Sequence, residues 1–253
     1  MAIVLDTALY KVILLLFYYY YNGSVLLEEK DYVKFLAVLI DKNPTWRPHI
    51  DFVASKISKI VGTLARLRHH VPQNILFQVY RSLIFPCTLY GIPVWGHAAQ
   101  RDLKKILTLQ KRALRLISFS NNRSHAIPLF IALNILPVAM LYTETVATIM
   151  HDVFTNSTPQ LFIHSSGVHA HNTHFSLAKK FYIHESRLGG KLKSFSASGV
   201  TLWNCLPSNW YKLTKSVFKR KLHKLLFTLL GIEDDYVDAC SLISIVNTNN
   251  YAT

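Results

Sequence analysis

The chain has 253 residues, with 28 Lys and Arg against 14 Asp and Glu, and a formal charge of +14 at pH 7. Half of it is apolar (51%) and only 17% is charged, which excludes a disordered tail or a collagen-like chain and fits one large or two small packed domains. The basic excess excludes an acidic chaperone and points to a polyanionic partner, either nucleic acid or an anionic membrane surface.

Three distant cysteines (Cys87, Cys205 and Cys240) give neither a disulfide framework nor zinc spacing, so the expected setting is intracellular, nuclear or cytoplasmic. The charge is uneven. Residues 1–30 carry −1, 31–118 carry +10, 119–180 carry +1, 181–231 carry +8, and the tail from Ile232 carries −4. Four regions are expected on that basis: an unassigned apolar leader (1–30), a first basic block (31–118), a downstream helical and loop region (119–231) and an acidic tail (232–253).

In chain order, the apolar and tyrosine run Val12–Tyr21 has ten residues, too few to span a bilayer. Val33–Asp41 is β-rich, bounded by Lys42-Asn43-Pro44, and reads as a strand. Pro48 suits the first turn of a helix, and Ile50, Val53, Ile57, Ile60, Leu64 and Leu67 then form one apolar seam. A second helix is expected from Pro72 to Phe85, with Ile75, Leu76, Val79, Tyr80, Leu83 and Ile84 inward and a break at Pro86, Gly91 and Pro93.

The helix from Arg101 to Ser118 is the most informative. Leu103, Ile106, Leu107, Gln110, Ala113, Leu114 and Ile117 share one arc of about 120°. Arg101, Lys104, Lys105, Lys111, Arg112 and Arg115 share the opposite one. Six like charges on one face repel, and a row of phosphates would relieve that repulsion. Ala126–Met150 reads as two helices separated by Pro137, Ser194–Leu206 as a strand or hairpin, and Lys215–Leu230 as an amphipathic helix capped by Ser216. In that last helix Phe218, Leu222, Leu225 and Leu229 are expected to face inward.

Catalytic patterns are scarce. No phosphate-binding G-x-x-x-x-G-K-S/T loop, H-E-x-x-H helix or G-x-S-x-G elbow occurs. Six histidines fall between His151 and His184, with few acidic neighbours, and Gly189-Gly190-Lys191 reads as a turn. Two-metal catalysis needs converging carboxylates. Asp41 and Asp51 are close only in sequence, and Asp234-Asp235 lies in the tail.

The ordered motifs resemble the reverse transcriptases of non-LTR (LINE/jockey-like) retrotransposons, from the end of the palm through the thumb. They run from Lys34-Phe35-Leu36-Ala37-Val38-Leu39-Ile40-Asp41 and Thr45-Trp46-Arg47-Pro48-His49-Ile50 to Tyr80–Pro86, Leu89-Tyr90-Gly91 and Val94-Trp95-Gly96. Further on come Leu109–Ile117, Pro128-Leu129-Phe130, Leu136-Pro137, Leu202-Trp203-Asn204-Cys205-Leu206-Pro207 and Phe218–Leu222. Such enzymes usually read F-L-G where this chain has Phe35-Leu36-Ala37.

The resemblance implies a mainly α fold: a helical thumb-like bundle with a short β element near 33–41, to which the sequence adds a small β hairpin near 192–206. It implies an RNA-directed DNA polymerase fragment without the catalytic palm, not an enzyme on its own and with no cofactor, any Mg2+ belonging to that palm. The implied activity is sequence-independent grip of an RNA–DNA or DNA duplex backbone, beside a separate palm-containing polymerase. The residues implied to hold phosphates are Lys34, Lys56, Lys59, Arg66, Arg68, Lys104, Lys105, Lys111, Arg112 and Arg115. Trp46, Trp95 and Trp203 are expected in the core. The competing readings are a membrane-associated protein anchored by residues 8–21 and a non-functional retroelement remnant.

Overall fold

A computed structural model describes residues 30–155, Phe181 and 195–230. The leader with its apolar run, most of the histidine-rich segment, Gly189-Gly190-Lys191 and the acidic tail lie outside the described residues.

The β-rich run at the start is two strands rather than one. β1 (Tyr32–Phe35) and β2 (Val38–Asp41) pair antiparallel, with Phe35 opposite Val38 and Tyr32 opposite Asp41. Leu36 and Ala37 form the turn at φ of 44° and 64°. A two-residue hairpin turn of type I′ requires positive φ at both central positions, which is why a continuous strand is not formed here. The position where the enzymes that this sequence resembles usually carry glycine is thus a left-handed turn position, occupied here by Ala37.

Asp41 ends β2 and starts the next element. Its carboxylate accepts hydrogen bonds from the Thr45 amide (2.8 Å), the Thr45 hydroxyl (2.7 Å) and the Trp46 amide (2.9 Å). Burial raises the Asp41 pKa, but these bonds to the charged form outweigh it, and the net shift is downward. Helix α1 (Arg47–Leu67) follows, with Pro48 in its first turn. Ile50, Val53, Ile57, Val61 and Leu64 are buried along it, each contributing about 2 kcal/mol. Ile60 and Leu67 of the expected seam are partly buried, and Val61 joins it.

The expected break at Pro86 is absent. Helix α2 (Gln73–Val79), a π-helical turn (Tyr80–Ile84) and helix α3 (Phe85–Leu89) follow one another without interruption, with Pro86 in the first turn of α3. Leu76, Tyr80, Ile84 and Thr88 are all fully buried. Residues four apart drift by about 40° per step in a regular α-helix, and the wider π turn cancels part of that drift. Ile75 (38% exposed) and Leu83 (47%) lie outside, against the regular periodicity that places them inside. The chain breaks instead after Leu89, where short α4 (Ile92–Trp95) begins behind left-handed Gly91. A Cβ on Gly96 would lie 2.5 Å from the Tyr142 ring, so this close approach requires glycine.

Helix α5 (Gln100–Ile117) packs along α1, and all seven residues expected on its inner arc are buried. Gln110 is fully buried at its centre. It donates to the Tyr80 hydroxyl (3.2 Å) and accepts from the Val138 amide (2.9 Å), joining three elements. Burial raises the Tyr80 hydroxyl to about 12.

Helices α6 (Ile127–Ala132) and α7 (Val138–Phe154) are separated at Pro137, as the sequence predicts. Residues 195–205 are helical. Helix α8 (Phe195–Cys205) replaces the hairpin expected near 192–206. Gly199 sits against Met150 and Val146 of α7, where a Cβ would lie 3.0 Å from the Met150 sulfur. The local alternation and glycine that suggest a strand are overridden by this packing on α7.

Helix α9 (Lys215–Leu230) begins one residue before Ser216, which lies in its first turn rather than capping it. Phe218, Leu222, Leu226, Leu229 and Leu230 are buried, while Leu225 is only partly so. Trp46, Trp95 and Trp203 are all core residues, and Trp203 stacks on Tyr211 at 4.7 Å. The buried side chains form one continuous apolar cluster from Val38 to Leu230. No helix among the described residues is long and apolar enough to cross a membrane.

Candidate nucleic-acid interface

Helices α1 and α5 run in the same direction. Lys105 meets Asp51 near their starts, and Arg112 and Arg115 meet Arg68 near their ends. Most of the cations expected at the interface lie along this pair.

At the near end the charge is internally compensated. Asp102, 4% exposed at its side chain, lies 3.6 Å from Arg47, 3.9 Å from Arg101 and 3.7 Å from Lys105. Lys105 also pairs directly with Asp51. The uniform like-charge face expected from the sequence is therefore corrected at Arg101 and Lys105, which share carboxylates. The charge count did not show this, because Asp102 falls beside the apolar arc and one of its partners, Arg47, comes from α1. The signal in the sequence is an aspartate in the first helical turn, where a carboxylate also favours the helix dipole.

The middle of the pair carries exposed cations. Lys104 and Arg112 have no acidic partner among the described residues. Lys56 lies over the Phe52 ring at 4.3 Å, and Lys59 and Arg66 are exposed on α1. Lys34 is exposed on β1, opposite Leu39, and is not part of the helical face.

At the far end the two helices part to form a cleft of about 480 Å³ lined by Ala65, Arg68, His69, Thr108, Arg112, Arg115, Leu116 and Asn122. Three of the expected phosphate-holding residues, Arg68, Arg112 and Arg115, converge here, and no acidic residue lines it. Arg115 is fixed by donating from Nε to the Ser124 carbonyl at 2.8 Å. Arg68 is fixed by lying 5.3 Å from the centre of the Phe119 ring. Thr108, His69 and Asn122 add polar groups that charge counting does not single out.

Asp41 is committed to Thr45 and Trp46, Asp51 to Lys105 and Asp102 to three cations, and no three His, Cys, Asp or Glu side chains among the described residues converge. The nearest arrangement of titratable groups elsewhere is a pair. His223 Nδ1 lies 2.7 Å from Glu144 and its Nε2 3.3 Å from Asn134.

Part of the chain is similar to RNA-directed DNA polymerases of mobile elements. The matched part is related to reverse transcriptases of non-LTR retrotransposons. It is 31% identical over 100 residues to the RNA-directed DNA polymerase from mobile element jockey of Drosophila melanogaster, and 35% identical over 101 residues to that of Drosophila funebris. It is also 31% identical over 97 residues to the probable RNA-directed DNA polymerase from transposon BS of Drosophila melanogaster. The similar region covers 37–38% of this chain, and the chain spans about 11% of the length of each relative. No family model matches the chain, and no solved structure matches it.

Proposed function

We propose that the α1–α5 face binds the sugar–phosphate backbone of a template–primer duplex, RNA–DNA or DNA, without reading its sequence. The observation that carries this is the convergence of Arg68, Arg112 and Arg115, with no acidic residue between them, at the end of a helix pair that also exposes Lys56, Lys59, Arg66 and Lys104. Cations spaced along two parallel helices meet successive phosphates, which position a protein on a duplex without specifying bases. Lys111 extends the same charge, Lys34 on β1 adds a separate cation, and Lys105 joins the face where a phosphate competes with Asp51. Polymerisation, the activity named for the relatives, is assigned to a palm-type active site that none of these residues supplies, with a palm-containing polymerase as the partner.

The test is fluorescence anisotropy with a labelled RNA–DNA duplex across a salt series. Neutralising five to eight phosphates gives a log–log slope of about −4 to −7. Replacing Lys104 and Arg112 together by Ala breaks no ion pair with the described residues, so the expected result is weaker binding with an unchanged thermal transition. Unchanged affinity, or binding that ignores salt, overturns the proposal.

A further inference from the structure

The cleft at the far end of α1 and α5 is concave, and backbone grip alone does not use that shape. A duplex presents its phosphates on a convex surface with the bases stacked inside. An unpaired nucleotide can place both its phosphate and its base in one recess. The volume of about 480 Å³ falls within the range of small-molecule sites, well beyond what one phosphate fills. Its lining is divided in the same way. Arg68, Arg112 and Arg115 supply cations, Ala65 and Leu116 an apolar floor, and Thr108 and Asn122 hydrogen-bonding edges.

A second observation at the rim points the same way. Phe119, just beyond the end of α5, has a φ of 52° and remains 48% exposed. The left-handed φ closes the C-terminus of α5, where the Ser120 amide donates to the Arg115 carbonyl at 3.0 Å and the Phe119 amide to the Leu116 carbonyl at 3.3 Å, and the ring is left exposed beside Arg68. With Arg68 over one face, the ring and guanidinium form a stacking surface beside the cleft.

We infer that this cleft seats one unpaired nucleotide of the bound strand, its phosphate against Arg112 and Arg115 and its base on the apolar floor. The inference rests on the nucleic-acid reading above but specifies a different contact. The full chain is titrated with a blunt RNA–DNA duplex, the same duplex carrying a short unpaired extension, and a free nucleoside monophosphate. The wild-type chain is expected to bind the extended duplex about tenfold more tightly than the blunt one. Arg112→Gln, on the exposed face, and Ala65→Leu, which narrows the cleft without changing charge, should each reduce that ratio toward one.

Equal affinity for blunt and extended duplexes, or a ratio that survives both substitutions, overturns the seat. Retained binding of blunt duplex in that case leaves the backbone reading standing. Binding of the extended strand or the mononucleotide, lost in both variants, without binding of blunt duplex supports the seat and overturns the duplex reading.

Discussion

His49 makes the junction between the hairpin and α1 sensitive to acid. Its ring is 1% exposed and lies against Trp95 (5.6 Å between centroids) and Phe52 (6.4 Å). Nδ1 accepts the Leu39 amide at 3.3 Å, and Nε2 has no hydrogen-bond partner. Burial, with the charge of Lys56 as the lesser cause, lowers its pKa from 6.5 to about 4. The unfolded ring therefore takes up a proton near pH 6.5, and the folded ring does so only near pH 4. Stability from the neutral ring is fully present above about pH 6.5, falls as pH drops toward 4, and changes no further below that. The size of the loss is about 3 kcal/mol. Urea unfolding from above pH 7 down to pH 4, for the wild-type chain and His49→Asn, isolates this contribution. Asn retains an acceptor for the Leu39 amide but loses ring packing, so it should start about 2–3 kcal/mol less stable at neutral pH. Its stability should then decline less steeply with acid. Parallel declines in the two proteins would refute the assignment to His49.

Two further substitutions test other parts of the structure. Asp102→Asn removes a carboxylate shared by Arg47, Arg101 and Lys105; the log–log salt slope of duplex binding should steepen by about 0.9, one further phosphate neutralised. Because those cations are largely exposed, the stability cost should be only about 1 kcal/mol by chemical denaturation, and an unchanged slope would mean they do not face the duplex. Ala37→Gly relieves the left-handed turn of the hairpin, and the urea midpoint should rise by the equivalent of about 0.5–1 kcal/mol after the added freedom of the unfolded chain is subtracted. A lowered midpoint would count against strain at that residue.

The helices that pack by regular periodicity were legible in the sequence. The seam from Ile50 to Leu64 and the inner arc from Leu103 to Ile117 each repeat at three and four residues, and both are buried as that spacing dictates. Legibility fails where tertiary contact overrides local preference. Gly199 looks like a strand or turn residue until its close approach to the Met150 side chain of α7 is seen. Ile75 and Leu83 look inward by period, yet the helix buries Leu76, Tyr80, Ile84 and Thr88 instead. At the interface the sequence supplies the cations but not their pairing. Asp102 collects partners from two helices, and the convergence of Arg68 with Arg112 and Arg115 depends on the parallel course of α1 and α5, which no local pattern encodes.

The wide turn at Tyr80–Ile84 also bears on how this gene can change length. Losing one residue from a regular helix rotates everything beyond the loss by about 100° and turns a buried face to solvent. Within a π turn, the same loss shortens a five-residue repeat to a four-residue one, and both flanks keep their orientation. A single-codon deletion there would be absorbed as a local tightening of the helix, whereas one inside α5 would expose half of its buried arc. The segment is a place where the chain can lose one residue and keep the same core.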